Sequence, residues 1–192
     1  ILRRLLDRGI GDTAIGCIWD PIVVSIAHEV GEGVELDLRI GGKMGPMSGD
    51  PVDLRVRVGK IARNATQRSG SGGIWQLGDV AALHAPNGLD IVVISQRTQT
   101  YSPEVFTNVG IDPTRKRILV VKSTQHFYAG FAPIAKQILY VVTPGAMLAA
   151  TGIGVRLLGR CRIRAENLAL PGGGAVDLGQ VCRDLPAAAA LS

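Results

Sequence analysis

Aromatic side chains are scarce in this chain of 192 residues: two Trp, three Tyr and three Phe make up 4% of it. Hydrophobic residues still make up 46%, so the core must be built mostly from Val, Ile, Leu and Ala. The formal net charge is +5, but aromatic residues do not interleave with the basic ones and no nucleic-acid-binding motif is present. We therefore interpret the basic residues as a solvated surface and expect no nucleic-acid partner, while an anionic small substrate fits the charge at least as well as a nucleic acid does.

Cysteine is also rare. The three cysteines, Cys17, Cys161 and Cys182, are odd in number and form no Cys-x-x-Cys pair. This pattern argues against a disulfide framework and against a thiolate zinc site, and it predicts a reducing, cytoplasmic location. No apolar run is long enough to span a membrane, so no membrane partner is expected.

Histidine occurs three times, as His28, His84 and His126, without a His-x-His, His-Glu-x-x-His or His-x-x-x-His spacing. A catalytic zinc needs about three protein ligands, and no local cluster supplies them. We therefore predict no metal site in this chain. The first residue is not Met, and residues 1–6 resemble the middle of a helix. We interpret the chain as a piece of a longer protein.

A long stretch of period-two alternation is present. Apolar residues at positions 34, 36, 38 and 40 alternate with charged ones, and the same pattern returns at residues 52–58. Such alternation predicts strands with one buried and one solvated face. Turn residues at 72–73 and 87–88 then separate short predicted strands at 74–77, 80–84 and 89–95. We read residues 34–95 as an antiparallel meander.

Outside the meander, strands alternate with helices. Asp20 and Pro21 predict a helix start after a first strand at residues 14–19. Further on, predicted strands at 91–95, 118–121 and 138–142 alternate with predicted helices at 103–109 and 125–136, which indicates a parallel sheet with right-handed crossovers. We predict a mixed α/β fold for residues 1–158: a βαβαβ parallel core with an antiparallel β-meander, in three layers. Residues 159–192 are predicted to be a weakly structured tail.

The tightest polar cluster is Lys122, Ser123 and His126, directly after an apolar strand. Arg97 follows the preceding strand. We predict that these two strands are neighbours in the parallel sheet, so their polar ends would share the edge where open α/β sheets bind ligands. Each residue also has a structural interpretation: a solvated lysine, a helix cap near Ser123, a core histidine, and a surface salt bridge at Arg97.

Gly41-Gly42-Lys43 is a further candidate. Successive glycines let backbone N–H groups approach an anion, and Lys43 would add a positive charge. The spacing is not that of a phosphate-binding GxxxxGK[ST] loop, and an ordinary turn is the alternative.

Seven phrases in this chain resemble the C-terminal domain of the microcystinase C (MlrC) family of metallopeptidases. In chain order they are WDP (19–21), LRIGGK (38–43), SQRTQ (95–99), GIDP (110–113), VKSTQHF (121–127), FAPIA (131–135) and TPG (143–145). The ordered set extends over most of residues 1–146. Beyond about residue 151 the sequence departs from the family pattern.

The resemblance implies a zinc-dependent peptidase or amidase, in which metal-activated water attacks an amide carbonyl. It implies that the zinc is held by an N-terminal domain outside this chain, with none in this fragment. The present domain would form one wall of the active-site cleft. Arg97, Lys122, Ser123 and Lys43 would bind substrate, and His126 would be a catalytic donor of a proton or hydrogen bond.

A non-catalytic alternative stays open: an interface module that docks on and stabilises the N-terminal metal-binding domain. The expected partners are that domain and a peptide or amide substrate, and the isolated fragment is expected to be inactive. A homodimer formed through an exposed apolar surface is also left open. Exposure of Lys122 and His126 would favour the cleft, and their burial would favour the interface module.

Overall fold

The sheet is built around a strand of seven residues near the start of the chain. The computed structural model describes residues 1–123, 125–142 and 154–159, so nearly all of the predicted tail lies outside the described residues. The strands are β1 (Thr13–Trp19), β2 (Glu35–Ile40), β3 (Val52–Arg68), β4 (Ile74–His84), β5 (Leu89–Ile94), β6 (Ile118–Val121), β7 (Gln137–Val142) and β8 (Gly154–Gly159). The helices are α1 (Leu2–Asp7), α2 (Pro21–Val30), α3 (Glu104–Thr107) and α4 (Tyr128–Phe131).

The strands form one mixed sheet in the order β2-β3-β4-β5-β1-β6-β8-β7. β1 pairs in parallel with both β5 and β6, whereas β2, β3, β4 and β5 pair antiparallel in succession. The predicted mixed α/β fold is therefore confirmed, with a parallel centre and an antiparallel meander beside it.

The position of β7 differs from the prediction of a parallel neighbour for β6. β8 lies between them and pairs antiparallel with both. No strand was predicted at residues 154–159, whose sequence GVRLLG begins and ends with glycine. Because β8 returns in the opposite direction, β6 and β7 are parallel to each other but share no hydrogen bonds.

The predicted short strands of the meander are wrong in length. β3 runs for 17 residues and β4 for 11, in place of three shorter pieces. The register between them shifts at three places, after Val58, Ala62 and Ala65. Such bulges break the period-two pattern and bend the strand without ending it, which is why the pattern underestimates the length. The predicted turns at 72–73 and 87–88 are present.

The predicted helix at residues 125–136 is reduced to α4, a single turn of four residues. Pro133 contributes to its end, because proline has no backbone N–H to donate to the carbonyl oxygen of Ala129. Gly130 allows this segment to lie close to the loop after β5, because a Cβ at this position would lie only 2.8 Å from the carbonyl oxygen of Tyr101.

Two apolar clusters cover the two faces of the sheet. Ile15, Ile91 and Val120 belong to one cluster, which α1 and α2 cover with Leu5 and Val24. The alternate residues of the same strands belong to the other cluster, which α3 and α4 cover. Its members from the helices and central strands include Ala14, Cys17, Val92, Leu119, Phe106 and Phe131. The helix–sheet–helix arrangement has the predicted three-layer character.

The first half of β3 pairs with β2 and the second half with β4, so the long strand joins two parts of the sheet.

Asp20 precedes α2 and accepts a hydrogen bond from the backbone N–H of Val23 (3.3 Å), which confirms the predicted cap. Gly31 ends the helix at a φ of 86°. No helix within residues 1–123 and 125–142 has the length and apolar character that crossing a membrane requires.

Candidate functional site

The segments that follow β1, β5 and β6 meet at the carboxyl edge of the parallel strands. β1 lies between β5 and β6, so the prediction that the strands before Arg97 and Lys122 are direct neighbours is wrong. The segment after β5 nevertheless crosses the end of β1. The N–H of Thr100 donates to the carbonyl oxygen of Lys122 (3.0 Å), and the N–H of Lys122 donates to that of Gly16 (3.0 Å). The candidate residues therefore share one edge.

The side chain of Thr100 fills a gap in β1. The register of β1 against β5 shifts between Ile15 and Ile18. The fully buried Thr100 hydroxyl donates to the carbonyl oxygen of Gly16 (3.0 Å) and accepts from the N–H of Cys17 (3.0 Å). Both backbone groups are thus satisfied although the ladder is interrupted. Burial raises the pKa of the adjacent Cys17 thiol, which fits a packed, unreactive side chain.

Gln67, near the end of β3, fixes the same segment from the other side. Its amide nitrogen donates to the carbonyl oxygen of Gln99 (2.7 Å), and its amide oxygen accepts from the N–H of Tyr101 (2.8 Å). Gln67 is fully buried, and its carboxamide hydrogen-bonds to this segment as the backbone of a neighbouring strand would. Sequence reasoning missed this role because nothing local in β3 predicts which distant loop it meets.

The polar cluster after β6 is divided between surface and interior. The side chains of Lys122 and His126 are exposed. Ser123 is 5% exposed and its hydroxyl donates to the side-chain oxygen of Gln99 (3.1 Å). The His126 ring lies 5.7 Å from that of Tyr101. The residues are together as predicted, but Ser123 holds the segment after β5 while the other two face outward.

Arg97 lies above the ring of Trp19, at the end of β1. Its guanidinium carbon is 5.5 Å from the ring centroid, within the range of a cation–π contact. The Trp19 indole N–H donates to the carbonyl oxygen of Ser95 (2.9 Å), which fixes the ring under the arginine. Arg97 remains exposed, so its N–H groups can reach an anion while the ring orients the side chain.

The glycine cradle before Lys43 is occupied by an internal anion. Gly41 and Gly42 both have a φ of 66°, and the N–H of Gly41 donates to the Asp20 carboxylate (2.9 Å). The Lys43 ammonium lies 2.5 Å from the same carboxylate and 2.6 Å from the carbonyl oxygen of Arg39. The cradle therefore binds an anion as its residues suggest, but the anion is Asp20, which is 1% exposed. A substrate role for Lys43 stays a prediction.

The three histidines lie apart from one another. His28, on α2, has its ring toward the sheet, with Nε2 3.1 Å from the carbonyl oxygen of Val80. His84 is paired with Asp90, and His126 packs on Tyr101. Within residues 1–123 and 125–142, no three His, Cys, Asp or Glu side chains converge as a metal centre requires. The described residues therefore do not fit a zinc ion.

A charged cluster lies at the opposite, amino-terminal edge of the sheet. His84 Nδ1 and Lys116 Nζ are each 2.7 Å from the carboxylate of Asp90. Burial raises the pKa of Asp90, but the hydrogen bonds from His84 and Lys116 outweigh it, so the pKa lies below its ordinary value. The pair across the hairpin was foreseeable, because His84 and Asp90 flank the predicted turn symmetrically. The contribution of Lys116 was not.

An aromatic stack next to His126 was also missed. Trp75, on β4, stacks on Tyr101 with the ring centroids 5.0 Å apart and the planes 26° apart. Tyr101 is buried, whereas Trp75 is 47% exposed. The stack joins a hairpin to a loop distant in sequence, so no spacing along the chain marks it.

The described residues define a class of protein: a mixed α/β domain whose carboxyl edge presents basic and aromatic side chains. Arg97, Lys122 and Trp75 are its exposed members. The chain belongs to the MlrC C-terminus family, whose model matches residues 1–152. Family membership confirms the resemblance drawn from the seven phrases.

Two relatives are similar to this chain. Microcystinase C from Sphingomonas sp. is 37% identical over 143 residues, which are 74% of this chain and 28% of that protein. The crystal structure of a putative metallopeptidase from Mesorhizobium sp. BNC1 superposes with a TM-score of 0.64 at 23% identity, over 70% of this chain and 28% of that one. The second likeness shows a common fold. The chain spans 28% of the length of each relative.

Proposed function

We propose that the chain is the C-terminal domain of a zinc-dependent peptidase or amidase, with its carboxyl edge as one wall of the active-site cleft. Membership of the MlrC C-terminus family and the 37% identity to a protein named Microcystinase C support this class. The proposal includes a longer protein with an N-terminal metal-binding domain, acting in the cytoplasm on a peptide or amide substrate. The proposal places the zinc in that other domain, and the described residues hold no group of His, Cys, Asp or Glu side chains that would suit a metal ion.

The observation that carries the proposal is the exposure of Arg97, Lys122 and His126 at one edge of the sheet. Arg97 and Lys122 would hold a substrate carboxylate or the oxyanion that develops during hydrolysis. His126 would donate a proton or a hydrogen bond to the leaving group. Ser123 would position the segment after β5 through its bond to Gln99.

The test is the zinc content and peptidase activity of the chain, measured alone and mixed with the metal-binding domain, on a linear acidic peptide. We expect zinc and turnover only in the mixture. Lys122→Ala or His126→Ala should reduce kcat/KM by at least about tenfold, since each removes a polar contact to substrate. Arg115→Ala removes an exposed charge beyond the cleft edge and should leave activity unchanged. Stoichiometric zinc bound by the chain alone would refute the assignment of the metal.

The alternative is a non-catalytic interface module that docks on and stabilises the metal-binding domain. Two observations favour it: Ser123 is buried, and the Lys43 ammonium is paired with Asp20. In that case Lys122→Ala and His126→Ala would weaken the association of the two domains and leave kcat of the assembled enzyme unchanged.

A homodimer would be a second form of interface. The exposed apolar side chains of α2, which include Ile22 and Val30, provide a surface for it. Sedimentation of the chain alone would detect it.

A further inference from the structure

The segment that carries Arg97 is fixed on both sides of that residue. Before it, the N–H of Ser95 donates to the carbonyl oxygen of Asp79 on β4 (2.9 Å), and the Ser95 hydroxyl accepts from the N–H of Asp79 (2.8 Å). After it, the carbonyl oxygen of Thr98 accepts from the thiol of Cys17 on β1 (3.6 Å). Two strands therefore set the backbone around Arg97 before any ligand binds.

Trp19, the last residue of β1, also fixes the side chain of Arg97. The indole N–H of Trp19 donates to the carbonyl oxygen of Ser95 (2.9 Å), and the guanidinium carbon of Arg97 lies 5.5 Å from the centroid of the Trp19 ring. A cation–π contact takes up none of the five N–H donors of an arginine. It also restricts a long side chain in advance, so a ligand does not have to offset that loss of conformational entropy.

The donors of Arg97 have no acceptor within the described part of the chain. Across residues 1–123 and 125–142, no carboxylate pairs with its guanidinium and no other acceptor binds the guanidinium N–H groups. Lys43, the other cation beside the end of β1, differs because the carboxylate of Asp20 neutralises it. Arg97 is thus a fixed and exposed cation at the edge where open α/β sheets bind ligands, and its hydrogen bonds remain for an external anion.

We propose that Arg97 binds a carboxylate of the substrate, and that Trp19 is the residue that positions Arg97 for it. Guanidinium and carboxylate are both planar and match in spacing, so the pair is bidentate. The inference rests on the proposed function, because the carboxylate belongs to the proposed peptide or amide substrate. It narrows the substrate class to molecules with a free carboxylate, and it adds Trp19 to the residues that determine specificity.

The test is a binding measurement on the ¹⁵N-labelled chain, without turnover. Arg97→Gln assigns the Nε–H signal of Arg97, and Trp75→Phe assigns the indole N–H signals of the two tryptophans, Trp19 and Trp75. N-acetylglycine is then titrated into the chain. We expect saturable shifts of the Arg97 and Trp19 signals, with the Trp75 signal unmoved. N-acetylglycinamide, which lacks the charge, should bind at least about threefold more weakly.

A second carboxylate identifies the source of the group. N-acetyl-L-glutamic acid α-amide carries its carboxylate on the side chain alone. Tighter binding of N-acetylglycine would assign the site to the C-terminal carboxylate of a peptide, and tighter binding of the glutamic acid derivative would assign it to an acidic side chain. No saturable binding, equal affinity of the neutral amide and both carboxylates, or saturation without a shift of the Arg97 signal would each overturn the inference.

Substitutions at Trp19 test the positioning role. Trp19→Leu removes the ring, so we expect N-acetylglycine to bind at least about twofold more weakly while N-acetylglycinamide is unaffected. Trp19→Phe keeps a ring beneath the cation and should fall between Trp19→Leu and the wild type. If Trp19→Leu does not fold, Trp19→Phe alone must show a reduced preference for the carboxylate. An unchanged preference in a folded variant would mean that Trp19 is only structural, and the positioning role would be wrong. Arg115→Gln, which removes an exposed charge before β6, should change no affinity.

Failure of this inference can be distinguished from failure of the proposed function. Carboxylate binding with the expected pattern, but without peptidase activity in the mixed domains, would leave the site at Arg97 in place and refute the function. Peptidase activity with an unchanged kcat/KM in Arg97→Gln would overturn the site and leave the assignment to a peptidase in place.

Discussion

At the scale of single residues, Asp20 connects three parts of the chain. One carboxylate oxygen caps α2 at Val23, and the other accepts from the N–H of Gly41 and pairs with Lys43. Because Asp20 is almost fully buried, its charge depends on these donors for compensation. The residue ties the end of β2 to the beginning of α2.

Replacing Asp20 with Asn keeps the shape of the side chain but removes its charge. We expect Asp20→Asn to lower the free energy of unfolding by roughly 3 kcal/mol, since it breaks a buried ion pair and an amide has only one oxygen to accept from the N–H groups of Val23 and Gly41. Chemical denaturation at neutral pH measures the loss. Lys43→Met, which leaves both backbone donors in place, should cost less. A loss under about 1 kcal/mol for Asp20→Asn would show that the ion pair contributes little.

Gln67 is a second residue whose effect extends beyond its own strand. Gln67→Met fills a similar volume but removes the donor to the carbonyl of Gln99 and the acceptor of the N–H of Tyr101, so we expect a loss of roughly 2 kcal/mol. Gln76→Met, on the exposed face of β4, should be nearly neutral. Denaturation of both variants tests this, and hydrogen exchange at Tyr101 should rise only in the first. Equal stability of the two variants would contradict the role assigned to Gln67.

At the scale of elements, the β4–β5 hairpin carries a charge cluster at its turn end. His84 and Asp90 are register partners, and Lys116 reaches the same carboxylate from the turn that precedes β6. The cluster therefore ties the meander to the parallel centre of the sheet at the edge opposite the candidate site.

Asp90 makes the stability of this cluster depend on pH. Its folded-state pKa is lowered, whereas an unfolded aspartate titrates near 3.9. The stabilisation is thus fully present above about pH 4 and is lost as the pH falls from there through the folded-state pKa. We expect Asp90→Asn to cost roughly 1 kcal/mol at neutral pH and progressively less below about pH 4. Urea unfolding across this range, with the exposed Asp37→Asn as control, measures the difference. A cost independent of pH would contradict the mechanism.

Elements whose signals are local could be predicted from the sequence. The central apolar strands, the Asp20 cap and the two hairpin turns follow from patterns of a few residues. The lengths of β3 and β4 could not be predicted, because bulges that bend a strand look like its end. The insertion of β8 between β6 and β7 depends on pairing between distant segments. Lys122 and Arg97 could be predicted as edge residues. The contacts of Trp75 and Gln67 with the segment after β5 could not, because no local pattern indicates which distant loop they meet.

At the scale of the whole molecule, protection from solvent falls off from the centre of the sheet. β1 is hydrogen-bonded on both sides and carries residues of both apolar clusters. The turn at residues 69–73 is largely exposed, and the part of β4 that precedes Val80 does not pair in register with β5. We expect amides of β1 and β5 to exchange only through global unfolding, and those at 69–73 to exchange with almost no protection. Native-state hydrogen exchange tests this, and slow exchange at the turn would contradict it.

The turn of the β3–β4 hairpin also makes this domain suited to protein engineering. Its turn lies outside both apolar clusters, yet Trp75 near its tip borders the candidate site. Exchanging the hairpin tip for sequences of other lengths would alter what the edge can bind while leaving the scaffold beneath it intact. A library varied only between residues 69 and 76 would therefore separate selection for binding from selection for folding.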